Sequence, residues 1–163
     1  KVISAAALIA GIGSAIGLTR VDVPGTTGSV NTDLAAKVRA AREALSSSDF
    51  VLVNIKGADE AGHDGDARAK MAFIEKIDLA LAPLAGLPGT LIVVCADHST
   101  PCSVKDHSAD PVPLVISGEG ARVDRVTAFD EVSCAEGGLH RIRGLSLMPI
   151  LLDLVNRSPK FGA

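Results

Sequence analysis

The chain has 163 residues, 47% of them hydrophobic, with no Trp or Tyr and a formal net charge of −3. That length supports one well-buried core and leaves little for a second domain, and the mixed charges exclude a basic footprint for nucleic acid or a polybasic membrane patch. The core must be built from Ala, Val, Ile and Leu, a composition suited to parallel strands packed closely by helices.

In chain order, Lys1–Ser4 reads as a short strand and Ala5–Gly17 as a helix closed by a glycine. The uncharged run from Val2 to Leu18 is at the lower edge of the roughly 17–25 residues a membrane span needs. Gly11, Gly13 and Gly17 interrupt it and no small-residue cleavage site follows, so a buried strand entering a helix is expected. Val21–Val23 is a strand stub before the turn-rich Pro24–Thr32. Thr32 or Asp33 caps a helix through about Leu45, with Ala36, Val38, Ala41 and Leu45 on related faces.

Phe50–Ile55 is an apolar strand, and Asp66 caps a helix to about Leu84 in which Met71, Ile74, Ile77 and Leu81 mark the buried face. Thr90–Ala96 is apolar throughout, as a central parallel strand would be, and Val112–Ser117 is the next strand. Gly118–Cys134 shows no regular pattern. Ser146–Val155 is a closing helix with Ser146 as its cap and Pro149 in its first turn. Strands alternating with helices predict an α/β sandwich with its functional groups at the carboxyl ends of the strands. Cys95, Cys102 and Cys134 are odd in number without CxxC spacing, which points to a reducing, cytoplasmic setting, with Cys95 as a small buried hydrophobe.

Three of the four histidines follow predicted strands, each with carboxylates beside it. Asp59 and His63 come after Phe50–Ile55, Asp97 and His98 close Thr90–Ala96, and His107 precedes the strand at Val112. Imidazole with carboxylate is a donor set for Zn²⁺ or Mn²⁺, and an oxygen-only Mg²⁺ or Ca²⁺ cage has no use for three histidines. Five ligands exceed what one structural ion needs and are too few for two unless substrate, water or further groups complete the shells; on residue types alone a metal site is expected. The bland alternative is that each loop Asp and His caps a helix or bonds at the surface.

These residues sit in Lys56-Gly57-Ala58-Asp59-Glu60-Ala61-Gly62-His63-Asp64-Gly65-Asp66 and in Ala96-Asp97-His98-Ser99-Thr100-Pro101 followed by His107-Ser108-Ala109-Asp110-Pro111. Both segments resemble the metal motifs of archaeal-type cofactor-independent phosphoglycerate mutases, in the alkaline phosphatase superfamily. The likeness extends over Val23–Gly28 and Leu147–Leu154. It implies a three-layer α/β/α sandwich with a mostly parallel sheet, and two divalent ions, Mn²⁺ or Zn²⁺ with Mg²⁺ as a further option, and no organic cofactor. It assigns Asp59, His63 and His107 to the first ion and Asp97 with His98 to the second.

The implied reaction is the glycolytic conversion of 3- to 2-phosphoglycerate through a phosphoserine. The family's nucleophilic serine, its N-terminal aspartate and its inserted substrate domain have no matching segments here. With no Met at position 1, residues 1–163 are expected to be the C-terminal portion of the phosphatase-like domain. Another metalloenzyme of the superfamily, a phosphomonoesterase or phosphopentomutase, and a non-catalytic metal-binding domain are the alternatives.

Other signals carry less. Gly11–Gly17 departs from the dinucleotide pattern, and Gly25-Thr26-Thr27-Gly28-Ser29 lacks the Lys of a P-loop, although its amides could approach a phosphate. Ser99, Thr100 and Ser103 are expected to bond the loop backbone. His140 has no suitable carboxylate neighbour. Arg141 and Arg143, like Lys56 and Lys105, are either surface cations or contacts for an acidic substrate. Glu60 and Asp64 could accept from histidine N–H groups.

Overall fold

The computed structural model describes residues 1–159. Their contacts divide into two compact units, one made of Lys1–Ala85 with Thr100–Ser108, the other of Gly86–Ser99 with the chain from Ala109 onward.

The first unit begins with β1 (Val2–Ile3), which pairs in parallel with β2 (Leu52–Val53) in the register Val2 to Leu52 and Ile3 to Val53. The connection between them carries α1 (Ala7–Ala15) and α2 (Leu34–Leu45), the helical crossover that parallel neighbours require. The stub expected at Val21–Val23 forms no strand; Arg20 makes a single parallel bridge to Val2. Asp33 caps α2, accepting the Ala36 amide at 2.8 Å. The buried side of α2 includes Lys37 as well as Val38 and Ala41. Lys37 is 1% exposed, and its ammonium donates to the Asn54 carbonyl at 2.8 Å, tying α2 to the carboxyl end of β2. The Asn54 side chain accepts from the Ser4 hydroxyl at 2.9 Å.

After β2 the chain enters α3 (Gly57–Asp64) and then α4 (Ala67–Leu81), extended by a 3₁₀ turn at Ala82–Leu84. Asp66 caps α4 by accepting the Ala69 amide at 2.9 Å. The expected buried face of α4 is displaced. Met71 and Ile74 are 63% and 50% exposed, whereas Phe73 is 1% exposed. Ile77 and Leu81 are half-covered as expected, and the covered side otherwise includes Lys70, Phe73, Ala80 and Leu84, so the periodicity holds and the phase differs only in the first half of the helix. Phe73 sets that phase by packing over Gly57, where an added Cβ would come within 2.7 Å of its ring.

In the second unit β3 (Ile92–Cys95) pairs with β4 (Leu114–Ser117) in antiparallel register, Val93 opposite Ile116 and Cys95 opposite Leu114. A parallel pairing needs a crossover, and no helix lies between these two strands. Cys95, expected to be buried, is exposed. Within the unpatterned stretch, Asp130 opens the short α5 (Glu131–Ala135), accepting the Ser133 amide and hydroxyl, each at 2.8 Å. These bonds hold the Asp130 carboxyl below its ordinary pKa.

The closing helix α6 (Gly144–Leu154) starts earlier than expected, with Arg143 before its first residue, so Ser146 lies inside it. Pro149 then falls in the second turn, and the Leu145 carbonyl loses its i+4 donor where that residue is 82% exposed. No helix of the described residues is long and apolar enough to cross a membrane.

Candidate metal centre

The first unit brings Asp59, His63 and His107 together. Asp59 and His63 are one helical turn apart on α3, so both project from the same side. Asp59 Oδ1 lies 3.4 Å from His63 Nε2 and 3.8 Å from His107 Nε2. The two imidazole rings are 5.1 Å apart at a 48° tilt. His63 Nδ1 lies 3.1 Å from the Lys105 carbonyl, and since a carbonyl only accepts, Nδ1 carries the proton.

The same contact turns His63 Nε2 toward the Asp59 carboxylate. An imidazole nitrogen and a carboxylate oxygen 3.4 Å apart are both atoms that can ligate a cation. Fixing the far nitrogen on a backbone carbonyl is also how metal-binding histidines are oriented. Carboxylate with imidazole is a donor set for a divalent ion, and Asp59 Oδ1 is the atom that both imidazoles approach.

The local fold explains why they converge. Gly57 and Gly62 let α3 lie close to its neighbours, because a Cβ at 62 would stand 2.5 Å from the Thr100 carbonyl oxygen. Gly65 ends the helix in the left-handed region at φ 75°, and the Lys105 side chain packs against it. Lys105 itself has φ 60°, unusual for a residue with a side chain, and the same residue offers its carbonyl to His63. Lys56 reaches Asp59 Oδ2 at 3.6 Å.

In the second unit, Asp97 and His98 follow β3 directly, with His98 Nε2 3.7 Å from Asp97 Oδ2. The Ser99 hydroxyl donates to the Asp110 carbonyl at 3.3 Å, the backbone role expected of it. Although Cys95 is exposed as a residue, partial shielding of its thiol from water, together with the Asp97 charge, pushes the thiol up from its ordinary value. Thr100 departs from expectation. Its hydroxyl donates at 2.6 Å to Oδ1 of Asp59, not to the loop backbone. No sequence spacing marks that contact, because residues 59 and 100 meet only through the fold.

A family model described as the Metalloenzyme superfamily matches residues 1–154. The chain belongs to that superfamily. Its α/β fold with a parallel strand pair agrees with this membership. Among metalloenzyme relatives, it is 71% identical over 163 residues to the 2,3-bisphosphoglycerate-independent phosphoglycerate mutase of Methanoculleus marisnigri, covering all of this chain and 40% of that protein. It is 56% identical to the protein of the same name from Methanosphaerula palustris, covering 99% of this chain and 39% of that protein. A solved structure of the PH0037 protein from Pyrococcus horikoshii superposes with a TM-score of 0.95 at 42% identity, over 99% of this chain and 50% of that one. The chain thus spans about 40% of the length of the curated relatives it matches.

Proposed function

We propose that this sequence supplies the metal-binding part of a cytoplasmic 2,3-bisphosphoglycerate-independent phosphoglycerate mutase of glycolysis. The observation that carries the reading is Asp59 Oδ1 facing the Nε2 atoms of both His63 and His107. Asp59, His63 and His107 would hold one divalent ion, and Asp97 with His98 a second, as Mn²⁺ or Zn²⁺. Bound there, the ions would lower the pKa of a hydroxyl nucleophile and offset charge on phosphoryl oxygens.

The chain's own residues prepare that chemistry. The Lys105 carbonyl holds His63 Nδ1, which orients Nε2 toward the site. The Lys56 ammonium stands 3.6 Å from the outer oxygen of Asp59. The phosphoryl group would move from one glycerate hydroxyl to a serine and back to the other hydroxyl, the serine proton leaving and returning as the ester forms and breaks. No segment of these 163 residues is assigned that serine.

The test uses a protein of the relatives' full length carrying this sequence, with Mn²⁺ and 3-phosphoglycerate. Asp59→Asn, His63→Ala and His107→Ala should each lower 2-phosphoglycerate formation at least a hundredfold. Activity retained in all three would overturn the reading. The 163-residue chain alone, given Mn²⁺, should form no 2-phosphoglycerate; product that disappears in Ser99→Ala would place the nucleophile here instead.

A further inference from the structure

Thr100 is 4% exposed, and its hydroxyl proton goes to Asp59 Oδ1, the oxygen that faces both histidines. A hydroxyl carries one proton to give, and an ionised carboxylate accepts at several positions. The bond therefore fixes the rotation of the Asp59 carboxylate. At 2.6 Å it has the length of a charge-assisted hydrogen bond.

Thr100 is itself clamped. The Lys70 ammonium donates to its carbonyl at 2.7 Å. The same carbonyl lies against Gly62, one residue before His63. A relay thus runs from α4 through the Thr100 backbone to its hydroxyl and on to Asp59, with every member in the first unit.

We propose that Thr100, held in place by Lys70, is a positioning residue that sets the Asp59 carboxylate for divalent-metal binding. This rests on reading Asp59, His63 and His107 as a metal site. Without the hydroxyl, the carboxylate would sample other rotamers and could turn toward Lys56, which already stands 3.6 Å from its second oxygen. Ordering would then be lost before an ion binds.

The experiment is calorimetric titration of the chain with Mn²⁺ and Zn²⁺, comparing wild type, Thr100→Val, Thr100→Ser, Lys70→Met and His63→Ala. Loss of an outer-shell partner typically weakens metal binding about 10–100-fold. Thr100→Val should fall in that range, Thr100→Ser should bind as wild type does, and Lys70→Met should lie between the two. Rescue by serine is the readout that a purely packing role for Thr100 would not give. If wild type binds no metal, or His63→Ala binds as well as wild type, the metal reading itself fails. If His63→Ala loses binding while Thr100→Val keeps wild-type affinity, the positioning role is wrong. Should Thr100→Val not fold, Lys70→Met decides: unchanged affinity there overturns the relay.

Discussion

Replacing Gly62 with alanine probes a close backbone approach in the site. The added Cβ would stand 2.5 Å from the Thr100 carbonyl oxygen, nearly an ångström inside the 3.4 Å at which ordinary contact begins, and 3.0 Å from the Thr100 methyl. Neither atom is a free side-chain end, because the carbonyl is backbone and accepts from Lys70. Overpacking of this kind costs about 1–3 kcal/mol, and a rigid neighbour places it near ~3. Alanine is better than glycine inside a helix by about 1 kcal/mol, which offsets part of that. The net loss is about 2 kcal/mol, or roughly 4–8 °C in Tm for a chain of this size. Because Thr100 must move, Asp59 turns with it, and Mn²⁺ affinity should fall about tenfold or more. Thermal melting without metal and calorimetric titration measure the two effects. A Gly62→Ala chain that melts at or above the wild-type temperature with unchanged affinity would refute the contact and its link to Asp59.

Lys37 predicts a pH dependence. Burial lowers its pKa from the ordinary 10.5, so between the folded value and 10.5 the unfolded chain binds the extra proton and stability rises with pH. Measured by urea unfolding, wild type should therefore gain on Lys37→Met as pH climbs toward 10.5; parallel profiles would contradict a desolvated ammonium. Asp66→Ala removes the cap of α4 and should cost about 1 kcal/mol in the same assay, with no loss meaning the bond to the Ala69 amide contributes nothing. Gly65→Ala puts a side chain at φ 75° and against Lys105, so a loss of more than about 1 kcal/mol is expected, and an unchanged melt would argue against that geometry.

The helices α1, α2, α4 and α6 were legible because each carries an apolar period or a cap. Asp33 and Asp66 mark their starts in the sequence and in the structure alike. The helix α3 was not legible. Gly57 and Gly62 within eight residues read as loop, and their purpose, room for Phe73 and Thr100, lies outside the segment. Of the face expected for α4, Ile77 and Leu81 are covered and Met71 and Ile74 are not, because hydrophobicity does not fix phase when two faces carry apolar residues. Direction was also hidden, since the apolar run of β3 fits a strand of either sense and only the helix-free return to β4 decides it. Within the site, Asp59 and His63 stood out through residue type and spacing, and His107 through its motif. Thr100 and the Lys105 carbonyl left no such mark: one is a common hydroxyl, the other a backbone group.

An isolated helix of eight residues with two glycines is far too short to persist in water, so α3 exists because its surroundings hold it. Phe73 covers its start, the Thr100 carbonyl its middle, and Lys105 its left-handed end. The amides of α3 and the segment from Thr100 to Lys105 should then open as one cooperative unit and exchange hydrogen at a common rate. The helix α3 should not fray while the loop stays folded, nor should the loop detach and leave the helix intact.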